Sequence, residues 1–374
     1  MKGMLLKGFV ILLVIQSIVT LGHLAAYRTM VKFFDLQNPA ALQSLKITLI
    51  VLSLSFLVTS VLANNFMGSI INGLYTLSAV WMGTFYWLIM ATGLCYLASW
   101  AARSLGVNLP DFYLAAALFG LAIIISAYGV IHSYQTKVVT YKVSLPNLPA
   151  AWQGKKIVMV SDTHLGNIRG VGFIRKISEL IDKQKPEVVF VPGDYYDGPP
   201  VDYDILAKEM AKGVHAPLGI YFTSGNHEEF RDSQAYLDAL SRAGIKIINN
   251  QKVEVNGLQI VGTDYAGNNT DGGLGKTLSA MQIDKSKPSI MLKHAPFAVK
   301  AASEAGISLM LSGHTHKGQM WPLGYITDWV HHGFGYGFHR YGNMSVITSS
   351  GAGTWGPPQR VGTDSEILVL ELQQ

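Results

Sequence analysis

The sequence predicts an α/β protein in two parts: a bundle of four transmembrane helices over residues 1–135, then a water-soluble α/β domain over 136–374. Three observations predict it. Charge is the first: only Lys2, Lys7, Arg28, Lys32, Asp35, Lys46, Arg103 and Asp111 precede Lys137, and the other 45 of the 53 Lys, Arg, Asp and Glu residues lie from Lys137 onward. Uncharged apolar runs of membrane length fill the first part. Short β-rich runs alternating with helix-length segments fill the second.

The helices come first. Crossing a hydrocarbon core of roughly 30 Å takes about 20 apolar helical residues. Gly8–Tyr27 and Phe112–Ile131 each meet that length without a charge. Ile47–Ala102 is uncharged throughout and too long for one helix, so it is read as two joined at Asn64–Asn72, where Asn64-Asn65 and Asn72-Gly73 are turn signals. Three further spans after the first favour a retained helix over a cleaved signal peptide. His23 and His132, at helix ends, are expected to meet headgroup water. Trp81, Trp87, Trp100, Tyr75, Tyr86, Tyr96 and Tyr113 fit interface anchoring or bundle packing. Cys95 is the only cysteine, which excludes an internal disulfide.

Beyond the fourth helix, Val138–Val143 reads as a strand and Leu145-Pro146-Asn147-Leu148-Pro149 as a rigid extended connection. The β-rich runs are Lys156–Val160, Glu187–Val191, Gly219–Thr223, Ser289–Leu292, Ser308–Leu311 and Met344–Thr348. Helix-length segments lie between several of them: Gly172–Lys183, Tyr203–Lys212 and Ser233–Ala243. This alternation implies a largely buried sheet with helices outside.

Four short signatures sit on that scaffold: Ser161-Asp162-Thr163-His164, Gly193-Asp194, Gly225-Asn226-His227-Glu228 and Gly313-His314-Thr315-His316, with His294 in Lys293-His294-Ala295-Pro296. Each candidate ligand lies just past the carboxyl end of a predicted strand, the edge where α/β sheets build ligand sites. Asp, Asn and His in that order suit a protein that holds two cations side by side. Imidazole mixed with carboxylate fits Mn, Fe or Zn better than Mg or Ca, which favour oxygen shells.

From about Leu145 to the C-terminus the chain resembles the calcineurin-like metallophosphoesterase superfamily. The ordered pattern Asp-x-His, Gly-Asp-x-x-Asp, Gly-Asn-His-Glu, a single His and Gly-His-x-His is matched without a missing ligand. It is also similar to bacterial membrane-associated phosphohydrolases related to the UDP-2,3-diacylglucosamine hydrolases, through its membrane anchor, its Leu-Pro-x-Leu-Pro segment and Ser349-Ser350-Gly351-Ala352-Gly353. The resemblance implies a β-sandwich flanked by helices and a metal-dependent phosphoric ester hydrolase. It implies that Asp162, His164 and His316 bind one cation, that Asn226, His294 and His314 bind the other, and that Asp194 bridges them. His227 directly follows a ligand, so it is assigned to the leaving group as a proton donor. Asp197 and Glu228 are expected to orient that imidazole. His215, His331, His332 and His339 fall outside the pattern and are given surface or packing roles. Arg360 is read as a structural residue or one that reaches a phosphate.

Tethering to a membrane favours a phosphorylated, lipid-linked substrate, because such molecules meet the domain at high local concentration. The expected reaction is hydrolysis of a phosphoester or pyrophosphate bond. The alternatives are a phosphodiesterase acting on a soluble nucleotide or cell-wall polymer, and a membrane sensor or transporter regulated by the metal domain; the nearly uncharged spans argue against an ion pathway. No Arg/Lys cluster interleaved with aromatics marks a nucleic-acid groove, so that partner is not expected. The expected location is the bacterial inner membrane. Lys and Arg counts at the helix ends tie, and Lys2 and Lys7 incline the domain to the cytoplasmic side. The Gly-rich, aromatic stretch from Trp321 to Tyr341 is expected to pack on the domain, the rival being an acyl, base or sugar site or a segment dipping into the headgroup layer.

Overall fold

The computed structural model describes residues 2–229 and 233–374. Among these, the first part holds helices α1 (Lys2–Phe33), α2 (Pro39–Asn65), α3 (Ser69–Ser104) and α4 (Asp111–His132). Each is long and apolar enough to cross a membrane, α1 from Val10 onward. The boundaries follow local chemistry. Asn38 Oδ1 accepts the Ala40 and Ala41 N–H groups at 2.9 and 3.2 Å, and Pro39 opens α2 where its missing N–H costs nothing. α2 and α3 break over Phe66–Gly68, with Gly68 at φ +146°.

α1 extends past its uncharged run through Arg28 and Lys32, so His23 lies inside the helix. It is 2% exposed, not at headgroup water; its Nε2 accepts the Trp81 Nε1–H at 3.1 Å and its ring stacks on Phe85 at 3.7 Å. Trp87 and Tyr75 are likewise buried in the bundle, whereas Trp100 and Tyr113 are exposed.

The chain divides into two compact units, Met1–Ile131 with Gly356–Gln359, and His132–Trp355 with Arg360–Gln374. The second unit contains, among the described residues, two six-stranded sheets. In the first, β1 (Thr136–Ser144) pairs parallel with β12 (Ser365–Gln373), which pairs antiparallel with β2 (Lys156–Met159). Parallel strands β3 (Val188–Pro192), β4 (Ile220–Thr223) and β5 (Lys246–Ile247) follow. In the second, β10 (Gly337–Tyr341) is antiparallel to β11 (Met344–Thr348). Strands β9 (Leu309–Ser312), β8 (Ser289–Leu292) and β7 (Leu258–Gly262) continue in parallel, and β6 (Gln251–Val255) closes the edge antiparallel.

Side chains alternate across each strand, and that alternation sorts the core into layers. Ile157, Met159 and Phe190 share one buried cluster with Ile290, Leu292 and Leu311, joining the inner faces of the two sheets. Val158 and Val189 point the other way, onto α5 (Val171–Asp182), α6 (Tyr203–Gly213) and α8 (Ser233–Arg242). Met291 and Met310 similarly meet α9 (Asp271–Met281) and α10 (Val299–Glu304). The result is a β-sandwich flanked by helices. Five strands, β5, β6, β7, β10 and β12, lay outside the predicted set, and so did α9, α10 and α11 (Leu323–Val330). The short turn α7 (Asn226–Glu229) carries one metal motif.

Candidate metal centre

Both sheets send their ligand loops to one edge. Asp162 and His164 follow β2, Asp194 follows β3, Asn226 and His227 follow β4, His294 follows β8, and His314 and His316 follow β9. Backbone hydrogen bonds lace these loops together: Asp162 N–H donates to the Gly193 carbonyl at 3.2 Å, His164 N–H to Asp194 at 3.2 Å, and Gly313 N–H to His294 at 2.8 Å. All seven candidate ligands, with His227, are thereby brought to one place.

The two aspartates are set in the same manner. Asp162 Oδ1 accepts the His314 N–H at 2.9 Å, leaving buried Oδ2 without a hydrogen-bond partner. Asp194 Oδ1 accepts the His227 N–H at 3.0 Å, leaving Oδ2 3.1 Å from His294 Nε2 and 3.8 Å from His164 Nε2. One oxygen of each carboxylate is pinned by a neighbouring loop; Asp194 Oδ2 faces two imidazoles, whereas at Asp162 it is the pinned Oδ1 that stands 3.6 Å from His316 Nε2.

The imidazoles face each other in pairs. His164 Nε2 lies 3.0 Å from His316 Nε2, and His294 Nε2 lies 3.2 Å from His314 Nδ1 and 3.1 Å from Asn226 Oδ1. Donor groups assemble as Asp162, His164 and His316; as His164, Asp194 and His227; and as Asp194, His294 and His314, with ligand atoms within 4.8 Å of one another in each set. The residues fit metal on three counts. An orphaned buried carboxylate oxygen carries a desolvation cost that a cation would relieve. Facing ring nitrogens need a shared cation or proton. Burial lowers His314 to about 3 and holds His316 well below its ordinary value, so both rings are neutral, as ligation requires. Burial opposes charge on His294 and Asp194 as well, yet their mutual attraction prevails, lifting the imidazole to about 9 and holding the carboxyl below the usual range.

Close approach at the centre depends on backbone. Asp162, His164, Asp194, His314 and His316 all adopt left-handed φ, between 46° and 70°. Such strain in non-glycine residues persists only where surrounding structure over-determines it, and it gathers at functional sites. A Cβ added at Gly225 would strike Asp194 Oδ1, and one at Gly313 would strike Asp162 Oδ2.

Asp197 and Glu228 occupy different niches. Asp197 Oδ1 is 3.1 Å from His164 Nδ1, while its carbonyl accepts the His227 Nδ1–H at 2.9 Å and its carboxylate stands 3.8 Å from that nitrogen. Glu228 instead serves the backbone: its carboxylate accepts N–H groups from Asp194, Tyr195, Tyr196 and Gly225 at 2.8–3.1 Å. Arg360 is fully buried, donates to the His316 carbonyl at 2.9 Å and the Gly353 carbonyl at 2.7 Å, and lies 3.2 Å from His316 Nδ1.

Several neighbours carried no sequence signal. The Tyr265 ring is 5.7 Å from that of His314, and the Trp355 ring is 6.4 Å from that of His227. His331 is buried, stacked on Phe297 at 4.7 Å and 6.0 Å from His314. His215 is exposed beside Asp182, as a surface residue would be.

Residues 155–318 match the calcineurin-like phosphoesterase family. The chain carries a calcineurin-like phosphoesterase domain. An uncharacterized metallophosphoesterase of Campylobacter jejuni is 34% identical to it over 237 residues, covering 62% of this chain and 62% of that protein. An uncharacterized metallophosphoesterase of Aquifex aeolicus is 29% identical over 258 residues, covering 68% of this chain and 98% of that protein. A transmembrane protein with metallophosphoesterase domain from Danio rerio is 30% identical over 278 residues, covering 68% and 62%. The match thus spans about three fifths of the Campylobacter and Danio relatives' own lengths. Within the phosphoesterase domain the matched stretch runs from the start of β2 to just past the His314–His316 motif, so it contains every candidate ligand.

Proposed function

We propose that this chain is a membrane-tethered hydrolase that cleaves a phosphoester or pyrophosphate bond with two divalent cations, Mn, Fe or Zn. One observation carries the reading: Asp194 Oδ2 stands between His294 Nε2 at 3.1 Å and His164 Nε2 at 3.8 Å, so one carboxylate oxygen is shared by two donor sets. Asp162, His164 and His316 hold one cation, Asn226, His294 and His314 the other, and Asp194 both. When bound, such a pair supplies an activated water and neutralises phosphoryl oxygens.

The rest falls to the protein. His227 gives its Nδ1–H to the Asp197 carbonyl at 2.9 Å, which fixes the ring's orientation. In its doubly protonated form the ring offers Nε2–H to the departing oxygen, and the Asp197 carboxylate 3.8 Å away supports that positive charge. His164 is oriented through its own Nδ1 by the same carboxylate at 3.1 Å.

The four apolar helices support a lipid or lipid-linked substrate, since a tether raises the local concentration of phosphates carried in the same bilayer. The proposed setting is the bacterial inner membrane with the domain on the cytoplasmic side, following Lys2 and Lys7; a reporter fused after Gln374 reads the side directly. The full chain, purified in detergent and supplied with Mn²⁺, is expected to release phosphate or a phosphomonoester from fractionated bacterial lipids. Asp194→Ala is expected to abolish that release and lower bound metal in elemental analysis. Unchanged turnover in this variant sinks the two-cation reading.

A further inference from the structure

α11 begins seven residues after the ligand His316, and none of its residues is buried. Tyr325 and Trp329 are spaced i, i+4, as are Ile326 and Val330, so at 100° per residue the four lie in a stripe roughly 140° wide. They are 74%, 78%, 58% and 41% exposed respectively, and Trp321 ahead of the helix is 52% exposed. The expectation that this stretch packs on the domain holds for Phe334, which packs against a core cluster, and fails for α11, which keeps its apolar stripe outside. A soluble surface rarely presents so continuous an apolar face without something to cover it.

The composition around the stripe says what covers it. Trp and Tyr mixed with aliphatics is the make-up of side chains that settle at the boundary of hydrocarbon and water. Asp328 is the only acid on the helix. Next to it a cleft of 330 Å³, lined by Trp321, Pro322, Tyr325 and Tyr336, contains Lys317, whose ammonium sits 4.1 Å over the Tyr336 ring. On edge strand β10, which starts just past Tyr336, Phe338 and Tyr341 are each 38% exposed. An apolar stripe beside the Lys317 ammonium complements anionic headgroups above acyl chains. The same chain carries four membrane-length helices, so a bilayer is an apolar phase this domain always has within reach.

We propose that α11, with Trp321 before it, is a bilayer-contact surface whose stripe of Tyr325, Ile326, Trp329 and Val330 lies in the interfacial layer of an anionic membrane. It needs no assumption about the reaction. The contact holds the mouth of the cleft at the level of lipid headgroups.

The test uses the full chain in nanodiscs of phosphatidylethanolamine and phosphatidylglycerol. On a Cys95→Ser background, Tyr325→Cys, Ile326→Cys and Trp329→Cys are spin-labelled one at a time, with Lys208→Cys, at an exposed position of α6, as the aqueous reference. Power saturation with oxygen and with a water-soluble nickel chelate reads the depth of each label. The expected result is oxygen accessibility above, and nickel accessibility several-fold below, the values at position 208. Nickel accessibility equal to that reference at all three positions overturns the proposal. So does dipolar broadening that vanishes on dilution with unlabelled protein, because a second copy then covers the stripe. Three independent positions guard against one variant that fails to fold. The readout does not depend on turnover, so its failure is separate from failure of the hydrolase reading.

Discussion

The two halves of the metal centre are built from similar parts but supported differently. On one side, His164 is backed by the Asp197 carboxylate at 3.1 Å, and the Asp162 carboxyl group stands beside His316. On the other, His294 is backed only by the Pro192 carbonyl at 2.9 Å, and Asn226 supplies a neutral oxygen. With Asp194 common to both, the first half offers two carboxylates to a cation and the second offers one. A carboxylate behind an imidazole makes the ring a stronger donor than a carbonyl does. On the proposed two-cation reading, the asymmetry predicts that the first cation is held more tightly than the second.

That comparison can be broken directly. The largest effect is expected from Asp162→Ala, which removes a charged ligand from the tighter half: metal content falls by about half or more and turnover is lost. Asn226→Ala is expected to empty only the weaker half, leaving about one cation per chain in elemental analysis and an activity that excess Mn²⁺ partly restores. If both variants lose metal equally, the halves are equivalent and the asymmetry is wrong. His227→Ala sharpens the picture from outside the ligand set: most metal stays, while turnover drops roughly 10²–10⁴-fold, the range of general acid catalysis. Metal loss in this variant makes His227 a ligand instead. The smallest effect belongs to Asp197→Asn, which keeps shape and removes charge behind His164. Here metal affinity is expected to weaken roughly 10–100-fold, as for other supporting partners of ligating histidines.

Much of this was legible because of chain-local chemistry. Predicted strand ends fell next to Asp162, Asp194, Asn226, His294 and His314, since buried parallel strands are nearly continuous apolar runs that stop where polar ligands begin. The four spans were equally plain from charge depletion. What stayed hidden depends on contacts between distant segments. β12 joins β1 and β2 through pairings more than 200 residues apart in sequence, and no local pattern reports a partner so remote. Glu228 looked like a neighbour for His227, yet the turn that presents the imidazole aims the carboxylate at the Asp194–Tyr196 backbone. Tyr265 and His331 reach His314 only because their loops fold over the same sheet edge. α11 was missed as a helix because its Gly and aromatic content reads as a loop, and none of its residues is buried to mark it as part of the core.

The absence of room for even one methyl at Gly225 and Gly313 reaches beyond this molecule. Most catalytic pockets can be retuned by gradual swaps of one side chain for a slightly larger one. Here two spots are occupied by carboxylate oxygens, so any side chain added at either glycine displaces a candidate ligand. At Gly170 and Gly272, away from the cluster, an added methyl meets nothing within 4 Å, so volume can grow there while the carboxylates stay in place.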